Sequence, residues 1–181
     1  MSTDKASSPI NLYGSTKLAA DKLFVSANYY RGDKNLKFSV VRYGNVLNSR
    51  GSVLPTFLRQ KIKSKFFHIT HPDMTRFNIT LKEGVNFVNN CLKIMQGGEL
   101  FVPKLPSFKI TELAKAIDPK KKIKIIGIRP GEKLHEEMIS ENESNEIIDM
   151  KKYYVVLPIM ERVNWHKKFY TKKGKLNKKK F

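Results

Sequence analysis

The chain has 181 residues, 40% of them hydrophobic, which is enough for one domain with a real core. Its single cysteine, Cys91, excludes an internal disulfide and a cysteine metal cluster, and fits a reducing, cytoplasmic setting. The net charge is +19, no apolar run reaches the roughly 18 residues of a membrane span, and Met1 to Lys17 is too polar to read as a signal peptide.

The charge invites a polyanion reading. Residues Glu161 to Phe181 hold nine Lys/Arg and one acid and so supply +8 of the +19; the rest is spread as single lysines and short runs such as Lys120–Lys122. Lysine outnumbers arginine 28 to 7, which a compositional bias explains as well as a phosphate-binding surface would. Charge excess speaks to solubility and association rather than fold. The lysines are read as solvated charge, so no nucleic-acid partner is expected.

In chain order, Tyr13 to Tyr30 reads as a helix, with Leu18, Ala19, Lys22, Leu23 and Ala27 at helical spacing and Gly32 as a stop. Phe38 to Tyr43 is a short β-rich run ending at Gly44. Leu54 to Ser64 suits a helix with Pro55 in its first turn. Thr80 to Met95 is amphipathic, with Thr80 and Glu83 forming a capping-box pattern and Gly97-Gly98 ending it. A strand at Glu99–Val102, a helix at Ile110–Ile117, a strand at Lys122–Ile128 and one more at Tyr153–Leu157 follow. This alternation predicts an α/β fold with parallel strands, 38–43 and 99–102 being neighbours joined by a helical crossover. Residues 161–181 are left as a basic tail without assigned structure.

A dinucleotide-binding α/β domain opens with a strand and a glycine-rich turn feeding a helix. The ten glycines here are scattered, and none forms Gly-x-Gly or Gly-x-x-Gly-x-x-Gly.

Tyr13 and Lys17 form Tyr-x-x-x-Lys at a helix start, where positions four apart share a face. An ammonium beside a phenol lowers its pKa from about 10 and makes the phenolate a base for a hydroxyl proton while hydride leaves to a nicotinamide. Tyr30 and Lys34 repeat the spacing, so spacing alone does not choose between them.

Context does. Ser2-Thr3-Asp4-Lys5-Ala6, then Pro9, Asn11 and Tyr13-Gly14, resembles the stretch of extended short-chain dehydrogenases that leads from a strand end to the Tyr-x-x-x-Lys helix. Its form is similar to the UDP-N-acetylglucosamine 4,6-dehydratases, and Tyr13 to their short, C5-inverting branch of the pseudaminic acid pathway. Five further blocks fall in the same order over residues 1–160: Arg42 to Val46, Ser49 to Val53, Asp73 to Phe77, Gly98 to Lys104, and Arg129 to Met138.

The resemblance implies a C-terminal portion of a Rossmann-like sheet plus a small substrate-binding α/β region over 1–160, with NADP as cofactor. It implies that Tyr13 is the base for oxidation at C4 and that Lys17 holds the nicotinamide ribose. Lys5 would remove the C5 proton and Asp4 would protonate the departing C6 hydroxyl. Asn45, Arg76, Arg129 and Glu132 would hold the nucleotide, arginine meeting phosphate and a carboxylate meeting ribose hydroxyls. Read alone, Asp4-Lys5 is a solvated terminal pair and Arg129 before Pro130-Gly131 is turn chemistry. Arg50 stands open as a diphosphate contact. His135-Glu136 does not make a metal motif, and His68, His71 and Cys91 read as structural. The expected partners are UDP-N-acetylglucosamine and a complementing N-terminal half or a homo-oligomer. The competing function is a non-catalytic remnant that keeps some UDP-sugar or partner binding.

Overall fold

The computed structural model describes residues 1–158 and 164–177. In chain order these form β1 (Ser2–Thr3), α1 (Leu12–Tyr30), β2 (Val40–Tyr43), β3 (Asn45–Val46), α2 (Val53–Lys63), β4 (Phe66–Ile69), β5 (Thr75–Ile79) and α3 (Leu81–Ile94). Then come β6 (Leu100–Pro103), β7 (Ser107–Lys109), α4 (Ile110–Ile117), β8 (Lys122–Ile125), β9 (Ile147–Asp149), β10 (Tyr153–Val156), α5 (Asn164–Thr171) and β11 (Lys175–Asn177). Short 3-10 turns cover Asp4–Ala6 and Glu141–Glu146. The chain divides into two compact units, 1–43 with 85–104 and 137–181, and 44–84 with 105–136.

The first unit is built on a sheet ordered β1-β2-β6-β10-β9-β11. β1, β2 and β6 are parallel, with Val40 opposite Leu100, as the helical crossovers require. β10 departs from the parallel expectation and runs antiparallel to both β6 and β9. The physical reason is the tight turn Met150–Lys152, with Lys151 at φ 68°, which can only return the chain antiparallel to β9. Burial alternates along these strands. Val40, Leu100, Val102, Ile147 and Val156 form one cluster, while Phe101, Ile148, Val155 and Leu157 join Cys91 and Tyr170 in another. Period-two alternation with both sets buried means both faces of the sheet are covered.

The region after residue 160 is a correction. Its described residues are ordered into α5 and β11, and β11 pairs with β9 through Leu176 opposite Ile148. Residues 161–163 and 178–181 of the expected tail lie outside the described residues, as do 159 and 160 before it. The anchor is nonlocal. Tyr170 is fully buried, and its hydroxyl donates to Glu99 Oε1 at 2.9 Å. Glu99 is itself buried and also accepts from Gln96 N–H (2.7 Å), Gly97 N–H (2.8 Å) and the Ser39 hydroxyl (2.6 Å).

The second unit holds a sheet β3-β5-β7 and a parallel pair β4-β8. Its core is Phe57, Phe67, Ile69, Met74, Ile110 and Ala114, with the Phe57 and Phe67 rings 5.1 Å apart. Thr80 and Glu83 form the predicted capping box at the start of α3: Glu83 Oε2 accepts from Thr80 N–H at 2.9 Å, and Thr80 Oγ1 accepts from Glu83 N–H at 3.2 Å.

Candidate active site

The end of β1 and the start of α1 place Asp4, Lys5, Tyr13 and Lys17 in one local structure. β1 pairs with β2 for only two residues before the chain turns into the 3-10 segment Asp4–Ala6, capped by Thr3. Asp4 is fully buried, against the solvated-pair reading of the sequence. Its Oδ1 accepts from the Thr3 hydroxyl at 2.9 Å and from Lys5 Nζ at 3.0 Å. Asp4 Oδ2 is buried without a hydrogen-bond partner among the described residues. The Lys5 side chain is 31% exposed, so the pair runs from the interior to the surface.

Asn11 caps α1, its Oδ1 accepting from Gly14 N–H at 2.8 Å. Gly14 is buried, and a Cβ there would overlap the Lys5 carbonyl oxygen and stand 2.9 Å from Pro9 Cβ. The first turn of α1 therefore lies directly on the Asp4–Ala6 turn, and only glycine permits that approach. Tyr13, the residue before it, is 55% exposed, and Lys17 Nζ lies 5.6 Å from its ring centroid. The second match differs: Tyr30 is the last residue of α1 and Lys34 lies in the turn beyond, so they share no helix face. Ser8 ties the loop before α1 to Glu137 at 2.9 Å.

Behind this turn is a network that the sequence reading missed. Arg42 on β2 is fully buried. Its Nη1 and Nη2 donate to Glu143 Oε2 and Oε1 at 2.8 and 3.0 Å, and Nη2 also donates to Asp21 Oδ2 on α1 at 2.9 Å. Burial opposes the charge of Arg42, yet Glu143 and Asp21 hold its pKa raised. Burial likewise opposes ionisation of Glu143, and Arg42 overrides it and keeps that pKa lowered. The signal was present: an arginine inside the apolar run Phe38 to Tyr43 must find acidic partners if buried.

In the second unit, Arg76 on β5 donates from Nη1 to the carbonyls of Thr75 (2.7 Å) and Leu134 (3.1 Å), and its Nη2 is 3.6 Å from Glu132 Oε1. Glu132 Oε2 accepts from Arg129 N–H at 3.2 Å across the turn at Gly131, whose φ is 74°. The Arg129 side chain is exposed. β3 sets Asn45 opposite Asn78, two residues from Arg76. Gly44 before it lets β3 approach, since a Cβ there would be 2.6 Å from the Phe77 carbonyl oxygen. Asn45, Arg76 and Glu132 are thus gathered by β3, β5 and one turn, with Arg129 at the rim. Arg50 is exposed in the turn before α2.

His135 Nδ1 is 2.8 Å from Thr75 Oγ1, and His71 Nδ1 accepts from Asp73 N–H at 3.1 Å. Among the described residues no three His, Cys, Asp or Glu side chains converge as a metal site would need. Cys91 is buried, and burial with Glu99 nearby pushes its thiol up to about 12, far from a reactive thiolate. No helix among the described residues is long and apolar enough to cross a membrane.

Residues 1–158 match the model of a family described as polysaccharide biosynthesis protein, and the chain belongs to that family. It is 52% identical over 170 residues to a UDP-N-acetylglucosamine 4,6-dehydratase (inverting) of Campylobacter jejuni, covering 93% of this chain and 51% of that protein. The crystal structure of Pen from Bacillus thuringiensis superposes with a TM-score of 0.82 at 35% identity, over 87% of this chain and 52% of that one. A dTDP-glucose 4,6-dehydratase from Bacillus anthracis, solved with NAD, shares the fold at a TM-score of 0.62 and 16% identity, over 78% of this chain and 52% of that one. The chain spans about half the length of the curated relatives it matches.

A nicotinamide cofactor fits one end of this site. At the start of α1, Tyr13 is exposed and Lys17 half-buried, a phenol and an ammonium open to a ribose and a nicotinamide ring. The sequence holds no glycine-rich strand-to-helix turn, so these 181 residues supply no pyrophosphate cradle.

Proposed function

We propose that this chain carries the chemical and nucleotide-binding groups of an NADP-dependent UDP-N-acetylglucosamine 4,6-dehydratase that inverts C5. It would act in the cytoplasm, in surface-polysaccharide or flagellin-glycan synthesis. The observation that carries the reading is the burial of Asp4 in contact with Lys5, beside the first turn of α1, which carries Tyr13. A solvated pair has no reason to be buried; an acid and a base that must serve one C5–C6 bond do.

Tyr13 takes the proton of the C4 hydroxyl, and Lys17 holds the ribose and keeps positive charge near the Tyr13 ring. A nicotinamide held by Tyr13 and Lys17 would supply the hydride acceptor for C4 and the hydride donor for C6. Once C4 is a ketone the C5 proton is acidic. Lys5 removes it and Asp4 protonates the C6 hydroxyl, which leaves as water. Moving one proton from Lys5 Nζ to Asp4 Oδ1 across their 3.0 Å contact converts the ion pair into an amine base and a carboxylic acid. The pair thus holds the right number of protons for both roles. Reprotonation of C5 from the opposite face gives inversion. Asn45, Arg76, Arg129 and Glu132 hold the UDP moiety, and Arg76 exchanges its Glu132 contact for phosphate. NADP rather than NAD follows from the resemblance to the C5-inverting branch alone.

The test joins residues 1–181 to the half of the C. jejuni relative that this chain does not match. The joined chain is expected to form the 4-keto-6-deoxy sugar nucleotide. Residues 1–181 alone are expected to form none while still binding UDP by calorimetry, because an unheld cofactor forfeits orientation commonly worth about 7–11 kcal/mol of barrier. A joined chain that binds UDP and NADP yet forms no product would make this a non-catalytic remnant.

A further inference from the structure

The second unit brings together two basic segments that lie far apart in sequence. Arg59, Lys61, Lys63 and Lys65 run along the C-terminal half of α2 and the link to β4. The lysines of residues 120–124 lead into and along β8. The parallel pairing of β4 with β8 sets Phe66 opposite Lys122 and His68 opposite Lys124. Lys61 Nζ donates to the Ile117 carbonyl at 2.9 Å, and Lys121 Nζ to the Lys61 carbonyl at 2.8 Å, so the two segments form one surface. The sequence holds no acid between Asp33 and Asp73, and none between Asp118 and Glu132. Asp118 ends α4, and its carboxylate accepts from Lys120 N–H at 3.1 Å. The surface therefore carries a concentrated positive charge with little local compensation.

Apolar side chains stand within it. Leu58 and Ile62, one turn apart on α2, are exposed, Ile62 by 86%. Arg59 and Lys63 flank them on the same helix. Cations around protruding aliphatic side chains are the pattern of a helix that lies in a bilayer interface. Seven of the eight cations are lysines, compact charges on flexible stems that suit a mobile lattice of headgroups better than bidentate reading of a fixed phosphate. The surface is also separate from the nucleotide residues of its own unit. Residues 120–122 stand at the start of β8, whereas Arg129 follows its far end.

We propose that this edge of the second unit docks the protein on an anionic lipid bilayer, with Ile62 and Leu58 entering the headgroup region and the lysines meeting lipid phosphate. The contact is peripheral, and none of its residues is assigned to the proposed chemistry.

The test is co-sedimentation of the full chain, at about 0.15 M salt, with vesicles of phosphatidylcholine alone and with about one-third phosphatidylglycerol. Binding is expected on the anionic vesicles only. Changing Lys61, Lys63, Lys122 and Lys124 together to Glu should weaken it by roughly a hundredfold or more. A control with the same charge change, Lys34, Lys82, Lys152 and Lys172 to Glu, should lose far less. Ile62→Ser should leave binding at low salt and lose it earlier as salt rises. All these positions are surface side chains, and matched far-UV circular dichroism melts of the two quadruple variants check that the fold is retained. No preference for anionic vesicles, or equal losses in the two quadruple variants, overturns the proposal. Binding to a single-stranded oligonucleotide with none to either vesicle assigns the patch to nucleic acid and overturns it equally.

Discussion

In the first unit the side chains assigned to chemistry are set by buried contacts. Asp4 is fully buried, Gly14 rests on the Lys5 carbonyl, and Arg42 locks α1 to β2. In the second unit the side chains assigned to the nucleotide stand on strand faces and an exposed turn, held mainly by backbone carbonyls and by one 3.6 Å ion pair. The contrast matches what each task demands. Proton transfer within one sugar fails when an acid or base moves by an ångström, whereas phosphate binding tolerates a side chain that closes on its ligand. Geometry at the first site should therefore be intolerant of small changes, and at the second tolerant.

The largest expected effect is on stability. Arg42→Leu leaves Asp21 and Glu143 facing each other without their cation, and should cost about 3–5 kcal/mol in urea unfolding. Arg76→Leu, which frees only a partly exposed Glu132, should cost less than about 1 kcal/mol. Equal costs would erase the contrast between the units.

Next comes a change of one methyl group. Gly14→Ala forces the start of α1 off the Asp4–Ala6 turn. It should lower kcat of the joined chain by about a hundredfold with UDP affinity unchanged. Gly84→Ala, in α3 with nothing within 4 Å of the added carbon, should instead stabilise by roughly 0.5–1 kcal/mol. A silent Gly14→Ala would mean that the close approach does not position Tyr13.

The smallest effect is a pH slope. Glu143 has a folded-state pKa below its ordinary 4.5, so its contribution is complete above pH 4.5 and is lost as pH falls through the lowered folded value. Between those two values the melting temperature should fall with acid more steeply in the parent than in Glu143→Gln. Parallel slopes would remove the ion network as the cause.

Much of this was legible. The helices at 13–30, 54–64, 80–95 and 110–117 stand within a residue of those observed, because their signals are local, such as Pro55 in a first turn and the Thr80–Glu83 box. The parallel neighbours β2 and β6 followed from the crossover between them. Thr75–Ile79 and Ser107–Lys109 escaped as strands because they are short and largely polar, and β9 because only its pairing with β10 defines it. The order in α5 escaped because it hangs on Tyr170 reaching Glu99, 71 residues away. At the candidate site, Tyr13 and Lys17 stand out by their spacing at a helix start, whereas Asp4 and Lys5 were singled out by the resemblance alone. Arg42, Asp21 and Glu143 were not joined, since no pattern in sequence links residues that meet only through the fold.

The central claim is that Tyr13, on the helix turn that rests on the Asp4–Ala6 turn, is the base that starts the reaction. The most direct measurement compares Tyr13→Phe with Tyr30→Phe in the joined chain, following hydride transfer from the sugar by the absorbance of reduced NADP in a single turnover. Tyr13→Phe should slow that step by about 100-fold or more with the melting temperature unchanged, while Tyr30→Phe should stay within about twofold. Equal losses in the two variants, or an unaffected Tyr13→Phe, would contradict it.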